Sequence, residues 1–161
     1  NIYKKVFSTV YNKIKNYLIE YFNNKEIKLY EFYSVITYPN TLEQHWHRFA
    51  NKPYLKNNEM ISVALLLTDL EKNRAPVQIF KGSHLTSKVK SNTIIELTGK
   101  KGDIIMWDTF SIHKHSNNIS EKKSCLLIFS FLNKSSMEAS NKKLNNSLKK
   151  IYNNISINDI I

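Results

Sequence analysis

Between residues 29 and 131 the chain is a succession of about eight short strand-like segments separated by turns. The clearest are rich in β-branched and aromatic residues and span 29–38, 42–49, 60–67, 76–80, 93–97, 103–108 and 125–131. Short strands at such close spacing, with no helices between them, are typical of an antiparallel jelly roll or barrel rather than of a parallel α/β sheet. The run at 60–67 is apolar throughout, so it is either a strand buried on both faces or a short helix.

Helical segments are predicted on either side of these strands. Residues 2–22 place apolar side chains at four-residue intervals opposite a lysine-rich face, which is the pattern of an amphipathic helix packed on the outside of a sheet. From residue 134 onward the chain is polar, and apolar residues at helical spacing leave two alternatives, a docked C-terminal helix or a loose tail. The chain therefore divides into an N-terminal helix (1–28), a β core (29–133) and a C-terminal polar helix or tail (134–161).

The composition restricts the partners and the compartment. The formal net charge is +11, but lysine and asparagine are spread through every segment and no nucleic-acid recognition motif accompanies them. We therefore expect no nucleic-acid partner. No apolar run reaches the ~20 residues of a membrane span and no signal peptide is visible, so we expect a cytoplasmic protein. The single cysteine, Cys125, excludes an internal disulfide, and the oligomeric state stays open.

The segment 44–49, Gln-His-Trp-His-Arg-Phe, is the most informative one for chemistry. A strand projects alternate side chains to the same face, so His45, His47 and Phe49 would face the interior together. A further histidine, His113, follows much later in the chain, where it would lie on a different strand. Since neutral imidazole binds Fe, Zn, Cu or Ni, histidines on separate strands predict a metal site inside the barrel.

Five motifs follow one another in an order that resembles the phytanoyl-CoA dioxygenase family. They are Gln-His-Trp-His-Arg at 44–48, Leu-Thr-Asp at 67–69, the segment 76–84 that ends in Gly-Ser-His, Gly-Asp at 102–103, and Asp-Thr followed by a distal histidine at 108–113. The resemblance covers residues 30–132 and implies a mainly β fold, a double-stranded β-helix (a cupin-like jelly roll). It also implies a non-haem Fe(II)- and 2-oxoglutarate-dependent dioxygenase that hydroxylates a small organic molecule.

The resemblance implies that His47 and His113 hold the metal, but the carboxylate ligand of the family falls on Phe49. A phenyl ring cannot coordinate a cation. It would also fill the vacancy in which halogenating members bind a halide, so halogenation is not expected. Two hypotheses remain. The first is an oxygenase in which His45 replaces the carboxylate in a three-histidine site, and the second is a catalytically inactive barrel acting as a binding or structural module.

The residues implied for 2-oxoglutarate also depart from the family. Where the family has an arginine after the distal histidine, this chain has Lys123 and Ser124. Lysine supplies a point charge without the bidentate geometry of arginine, so weaker binding of the co-substrate is expected. His115 falls where the family often has a small hydroxyl residue near the co-substrate. Gln44 is assigned to the same side, with the alternative that it only hydrogen-bonds a neighbouring strand.

Four further expectations concern loops and tryptophans. His84 is expected to be structural, its ring hydrogen-bonded to loop backbone groups, rather than a metal ligand. Arg74 takes the place of the glycine in the Asn-Gly turn of the family and is expected to need a positive φ. Trp46 and Trp107 are expected to be core or rim residues.

Overall fold

The computed structural model describes residues 2–23, 26–49, 59–86 and 92–133. The elements in these residues are the helix α1 (Ile2–Phe22), the strands β1 (Ile27–Thr37), β2 (Met60–Leu66), β3 (Val77–Phe80), β4 (Ile94–Leu97), β5 (Ile104–Asp108), β6 (His113–His115) and β7 (Ser124–Asn133), and a 3₁₀ turn at Ser83–Leu85. The expected C-terminal helix or tail lies outside the described residues.

Two antiparallel sheets give the mainly β jelly-roll architecture that the sequence predicts. One sheet has the order β1-β7-β2-β5, and the other has the order β4-β3-β6. Most neighbours in the sheets are distant in sequence, as in a double-stranded β-helix. The apolar run at 60–67 is the strand β2, which is buried along almost its whole length, so the alternative of a short helix is excluded.

The helix α1 packs on the outer face of the four-stranded sheet. Its apolar residues form one cluster with Ile61 and Val63 of β2 and Phe129 and Phe131 of β7; the helix contributes Phe7, Val10, Ile14, Leu18 and Phe22. This is the packing that the four-residue spacing predicts. No helix in the described part of the chain has the length and apolarity needed to cross a lipid bilayer.

The other face of the same strands lines the space between the two sheets. Successive strand residues point to opposite faces, so Ala64 and Leu66 of β2, with Leu126 and Ile128 of β7, pack against β3 in a second apolar cluster. The residues that continue this inner face, Ser62 and Ser130, are buried and polar. The interior is therefore apolar at one end and polar at the other.

The prediction of a strand at 42–49 is wrong. This segment has one isolated bridge, between His47 and His113, and its backbone also meets β6 where the Gln44 N–H donates to the His115 carbonyl at 2.9 Å. The hydrogen-bonded ladder between two strands cannot be longer than the shorter strand. Because β6 has only three residues, and its other edge is paired to β3, it cannot support a long strand at 42–49. The strand β6 itself was not predicted because its sequence, His-Lys-His, has no apolar alternation.

The positive φ expected at Arg74 occurs one residue later, at Ala75, where φ is 54°. The Ala75 N–H donates to the Asn117 carbonyl at 3.2 Å, and the Arg74 N–H closes the preceding turn on the Glu71 carbonyl at 2.9 Å. These two adjacent N–H groups therefore have acceptors in different parts of the chain. The backbone changes direction at Ala75 to reach both acceptors, and the left-handed conformation lies at this residue.

Candidate functional site

A cavity of about 150 Å³ occupies the polar end of the barrel interior. Its described walls come from β1, from the segment 42–49, and from β2, β5, β6 and β7. The polar or aromatic residues among them are Glu31, Tyr33, Gln44, His47, Phe49, Ser62, Trp107, Thr109, His113, His115 and Ser130. The cavity therefore contains both histidines that the resemblance assigns to the metal.

His47 and His113 lie next to each other in the wall of this cavity, with their ring centroids 4.6 Å apart and their ring planes tilted by 56°. Their backbones are paired as well, because the N–H of each donates to the carbonyl of the other, at 3.0 and 2.9 Å. One imidazole comes from the segment 42–49 and the other from β6. The isolated bridge therefore fixes the distance between the two rings.

Both rings are held in the same tautomer. His47 Nδ1 lies 2.8 Å from the His45 carbonyl, and His113 Nδ1 lies 2.7 Å from the Ser111 carbonyl. A carbonyl oxygen can only accept, so each Nδ1 carries the proton and each Nε2 keeps a free lone pair. Metal-binding histidines are commonly fixed through the opposite ring nitrogen in this way. The arrangement fits a transition-metal ion held by two imidazoles.

The electrostatics of His113 agree with a neutral ring. Burial lowers its pKa, and the neighbouring His47 lowers it further, while the hydrogen bond to the Ser111 carbonyl acts in the opposite direction. Neutral imidazole is the form that binds a metal. His113 is therefore ready to bind a metal ion near neutral pH without first losing a proton.

His45 lies apart from this pair. Its side chain is exposed and is not part of the cavity lining, whereas Gln44 lines the cavity. The alternation expected of a strand fails here because the backbone of 42–49 is hydrogen-bonded to β6 at only two described residues, Gln44 and His47. Within the described residues, no group of three or more His, Cys, Asp or Glu side chains is arranged to hold a metal ion.

Phe49, to which the resemblance assigns the family's carboxylate position, lines the cavity. The residue is 40% exposed, and its ring packs edge-to-face on Tyr30, at 5.7 Å between centroids, and on Phe110, at 6.5 Å. These aromatic contacts give the side chain a packing role at the cavity wall. The described cavity wall therefore brings two candidate imidazole ligands together, and Phe49 adds no donor to them.

Two of the four residues expected on the co-substrate side line the cavity. Gln44 and His115 lie in its wall, and they are also bonded to each other, since the His115 N–H donates to the Gln44 side-chain oxygen at 3.2 Å. Ser124 is buried on β7 and Lys123 is exposed, and neither belongs to the lining. The Lys123 carbonyl accepts two hydrogen bonds from the Arg74 guanidinium, at 3.2 and 2.7 Å.

The described cavity wall contains no lysine or arginine side chain. It contains a carboxyl group instead, that of Glu31, to which the Ser130 hydroxyl donates at 3.2 Å. Burial raises the pKa of Glu31, against the hydrogen bond from Ser130, which lowers it. A dianion such as 2-oxoglutarate would find no cationic partner on these walls. The described residues therefore do not fit 2-oxoglutarate in the way that the family binds it.

The structure reveals an ion pair behind the site that the sequence did not indicate. Lys114, between the two histidines of β6, is buried, and its ammonium lies 2.6 Å from the Glu43 carboxylate and 4.7 Å from the centre of the Trp46 ring. Trp46 in turn packs on Phe80 at 4.3 Å between centroids. The sequence signal for this ion pair is a lysine that lies between two inward-facing residues of a short strand. This signal can be used only once residues 113–115 are recognised as a strand.

Asn118 is a second residue that the sequence did not single out. It is fully buried, and its amide donates to the carbonyls of Thr37 and Lys122, at 3.1 and 2.9 Å, and accepts from the Ser120 hydroxyl at 2.7 Å. The side chain thereby joins the end of β1 to the turn that precedes β7. One asparagine in an asparagine-rich chain carries no distinguishing sequence signal.

In the Gly-Ser-His segment the structural contact is made by Ser83, whose hydroxyl accepts from the Ile112 N–H at 2.8 Å. The structural role expected of the ring of His84 stays a prediction, and the backbone contact of this segment that the structure shows is made by the hydroxyl one residue earlier. Gly82 supplies the left-handed φ of 74° that begins the turn. The turn and β6 are thus connected just before His113.

Comparisons with known proteins agree with this geometry. The sequence profile described as "Phytanoyl-CoA dioxygenase (PhyH)" matches residues 6–125. No curated protein matches the chain by sequence.

Solved structures with a similar fold include the following three. They are HygX from Streptomyces hygroscopicus with nickel and 2-oxoglutarate bound (TM-score 0.65, 11% identity, 80% of this chain and 65% of that one), EctD from S. alaskensis with bound Fe (TM-score 0.57, 17%, 68% and 46%) and EvdMO1 (TM-score 0.59, 18%, 67% and 28%). At these identities the likeness concerns the fold. The chain spans between 28% and 65% of the length of these three structures.

The profile match includes the segment that bears His47, the turn at Ser83 and the strand that bears His113. The two-sheet barrel agrees with it, and so does the pair of imidazoles with free Nε2 atoms in one cavity. Phe49 and Lys123, where departures from the family are expected, lie inside the matched region. The chain belongs to the phytanoyl-CoA dioxygenase family.

Proposed function

We propose that this chain is the barrel of a divergent non-haem Fe(II)-dependent oxygenase that acts on a small organic molecule. His47 and His113 would hold the metal through their Nε2 atoms. The observation that supports this most directly is the matched pair of tautomers, each fixed by a backbone carbonyl. Fe(II) bound with open coordination positions supplies the activation of oxygen in enzymes of this kind.

The protein's own contribution would be to position the two rings and to shape the cavity beside them. The backbone bridge between His47 and His113 sets the spacing of the rings. The apolar walls formed by Val35, Trp107 and Ile128 would exclude water from one side of the bound molecule. Since no described cationic side chain lines the cavity, we expect 2-oxoglutarate to bind weakly.

A second candidate is a catalytically inactive barrel that binds a small molecule. Two features favour it: Phe49, assigned by the resemblance to the carboxylate position, lines the cavity, and no cationic side chain is found among the described residues of the wall. The two candidates make different predictions about turnover. They share the expectation of a ligand in the cavity.

Calorimetric titration with Ni(II), which does not oxidise in air, tests the metal site. We expect one binding event per chain, weakened at least tenfold in His47→Ala and in His113→Ala, since each removes one of two ligands. His45→Ala is the matched control, because its imidazole is exposed and outside the lining. Equal binding by wild type and both site variants would overturn the two-histidine metal site, and selective loss in His45→Ala would restore the three-histidine arrangement.

Oxygen consumption with anaerobically loaded Fe(II) separates the two candidates. An oxygenase should consume oxygen in a reaction that requires both Fe(II) and an added co-substrate, with 2-oxoglutarate tested first. A protein that binds Ni(II) in the site but consumes no oxygen above the His113→Ala background would be the inactive barrel.

A further inference from the structure

The hydroxyl of Tyr21 on α1 lies 2.5 Å from Oδ2 of Asp108, the last residue of β5. Burial raises the pKa of Tyr21, and the hydrogen bond to Asp108 raises it further, so the phenol keeps its proton and is the donor. The Met60 carbonyl is a more distant neighbour of the same hydroxyl, at 3.4 Å. The short contact therefore joins the N-terminal helix to the end of a strand.

Asp108 lies where the chain passes from one face of the sheet to the other. Its partner in the register of β2 and β5 is Ile61, which belongs to the apolar cluster under α1. Directly opposite residues of paired strands share a face, so Asp108 lies on the side covered by the helix. The next residue, Thr109, lines the cavity. The carboxylate is therefore placed between the helix and the site.

The other oxygens of Asp108 hold the turn that leads to His113. Its Oδ1 accepts from the Phe110 N–H at 2.8 Å, and its backbone carbonyl accepts from the Ser111 N–H at 3.0 Å. The Ser111 carbonyl in turn accepts from Nδ1 of His113 at 2.7 Å. A continuous series of hydrogen bonds therefore runs from the N-terminal helix to this imidazole.

We propose that Tyr21 and Asp108 are positioning residues of the candidate metal site. The phenol fixes the Asp108 carboxylate, and the carboxylate fixes the turn whose Ser111 carbonyl orients the His113 ring. Neither Tyr21 nor Asp108 lines the described cavity, so both act through other residues. The proposal rests on the proposed function, since it concerns an imidazole assigned to the metal. Groups that orient a metal-binding histidine through its second ring nitrogen influence the metal affinity.

The tautomer of His113 separates a positioning role from a simple docking contact of α1. It is measured by NMR of the metal-free, ¹⁵N-labelled protein, with His113→Ala used to assign the ring signals. In wild type we expect the proton on Nδ1. Asp108→Ala should populate the tautomer protonated at Nε2, because the turn then holds the Ser111 carbonyl less firmly. Tyr21→Phe should have the same effect to a smaller extent.

Calorimetry with Ni(II) provides the second measurement. We expect the affinity to fall about threefold in Tyr21→Phe and about tenfold in Asp108→Ala, at or below the lower end of the usual effect of such outer groups. Tyr11→Phe is the matched control, since it removes a hydroxyl from the same helix about 15 Å away along the axis. Ile14→Val trims a buried methyl group where the helix packs on the sheet. Both controls should keep the tautomer and the Ni(II) affinity of wild type.

An unchanged tautomer in Asp108→Ala would overturn the proposal, and so would a loss of Ni(II) affinity in Ile14→Val as large as that in Tyr21→Phe. If Asp108→Ala does not fold, an unchanged tautomer in Tyr21→Phe, which keeps the ring, would overturn it instead. Asp108→Asn retains an acceptor for the Phe110 N–H and should restore most of the wild-type tautomer. Failure of wild type to bind Ni(II) would count against the metal site alone, since the tautomer is measured without metal.

Discussion

The ammonium of Lys114 lies 2.6 Å from the carboxylate of Glu43, and this pair holds the segment that bears His47 against the strand that bears His113. The lysine side chain is 9% exposed, whereas the glutamate is 56% exposed. The ion pair lies outside the described cavity lining. The pair therefore contributes to the site by positioning the segment that bears His47 against the strand that bears His113.

Lys114→Met should weaken both the fold and the metal site. The substitution keeps most of the buried stem and removes the charge, and because Glu43 can be hydrated we expect a loss of about 1–2 kcal/mol in the free energy of unfolding. Ni(II) affinity should fall as well, since the two imidazoles are held less firmly. Urea unfolding and Ni(II) calorimetry measure the two effects. Lys122→Met, at an exposed position, is the control, and an unchanged Ni(II) affinity in Lys114→Met would show that the pair does not position the rings.

Phe49→Asp should increase metal affinity and lower the melting temperature of the metal-free protein. The substitution supplies the missing carboxylate ligand, but it places a charge at the cavity wall and removes the ring contacts with Tyr30 and Phe110. Adding Ni(II) should raise the melting temperature of the variant more than that of wild type, because the ligand binds only the folded state. Phe49→Asn introduces a side chain similar in size to that of aspartate but uncharged. It should lower the melting temperature of the metal-free protein without increasing the metal affinity.

Lys123→Ala should leave the affinity for 2-oxoglutarate within about twofold of wild type, since loss of an exposed charge costs little. The Lys123 side chain is exposed and outside the described cavity lining. Its backbone carbonyl, which binds Arg74, is retained in the variant. Calorimetry with 2-oxoglutarate on both proteins measures this. A tenfold or greater loss would mean that the lysine reaches the co-substrate, as the family position implies.

Asn118→Ala should destabilise the protein by about 2–3 kcal/mol, because the carbonyls of Thr37 and Lys122 would lose a buried donor. The effect should appear as a lower midpoint in urea with little change in slope. Asn117→Ala changes the same residue type at the adjacent, exposed position and should alter the stability by less than about 0.5 kcal/mol. Similar losses in both variants would point to a general effect of the turn.

The metal-free protein should lose stability as the pH falls from 6.5 toward 4. Burial lowers the pKa of His115 from 6.5 to about 4, so within this range the unfolded chain binds a proton that the folded chain does not. The contribution is fully present above pH 6.5 and is lost on acidification, by at most about 1.4 kcal/mol per pH unit. Urea unfolding of wild type and His115→Gln at pH 7 and pH 5 tests this. The loss should be smaller in the variant.

The parts of the fold that follow from local periodicity could be predicted from the sequence. The spacing of Val10, Ile14 and Leu18 indicates α1 and its buried face, and the apolar run of β2 indicates a strand covered on both sides. These features depend on neighbouring residues along the chain. The pairing of His47 with His113 came from the family resemblance, since the residues between them do not specify which strands meet.

The features that could not be predicted depend on distant partners. The orientation of His45 follows from the short length of β6, and the displacement of the positive φ from Arg74 to Ala75 follows from hydrogen bonds made elsewhere in the chain. The buried position of Lys114 required knowledge of Glu43 and Trp46 as its neighbours. Each is a tertiary contact that leaves no periodic pattern in the sequence.

Strand β7 is hydrogen-bonded on both edges, to β1 and β2, and its two faces belong to two different apolar clusters. None of the residues of the segment 42–49 contributes to the buried part of either cluster. The residues that form these two buried clusters are therefore largely separate from the segment that contains His47 and Phe49. Replacements in that segment can accumulate during evolution without unfolding the protein, so a lineage can change the chemistry of its cavity while it retains the inherited barrel.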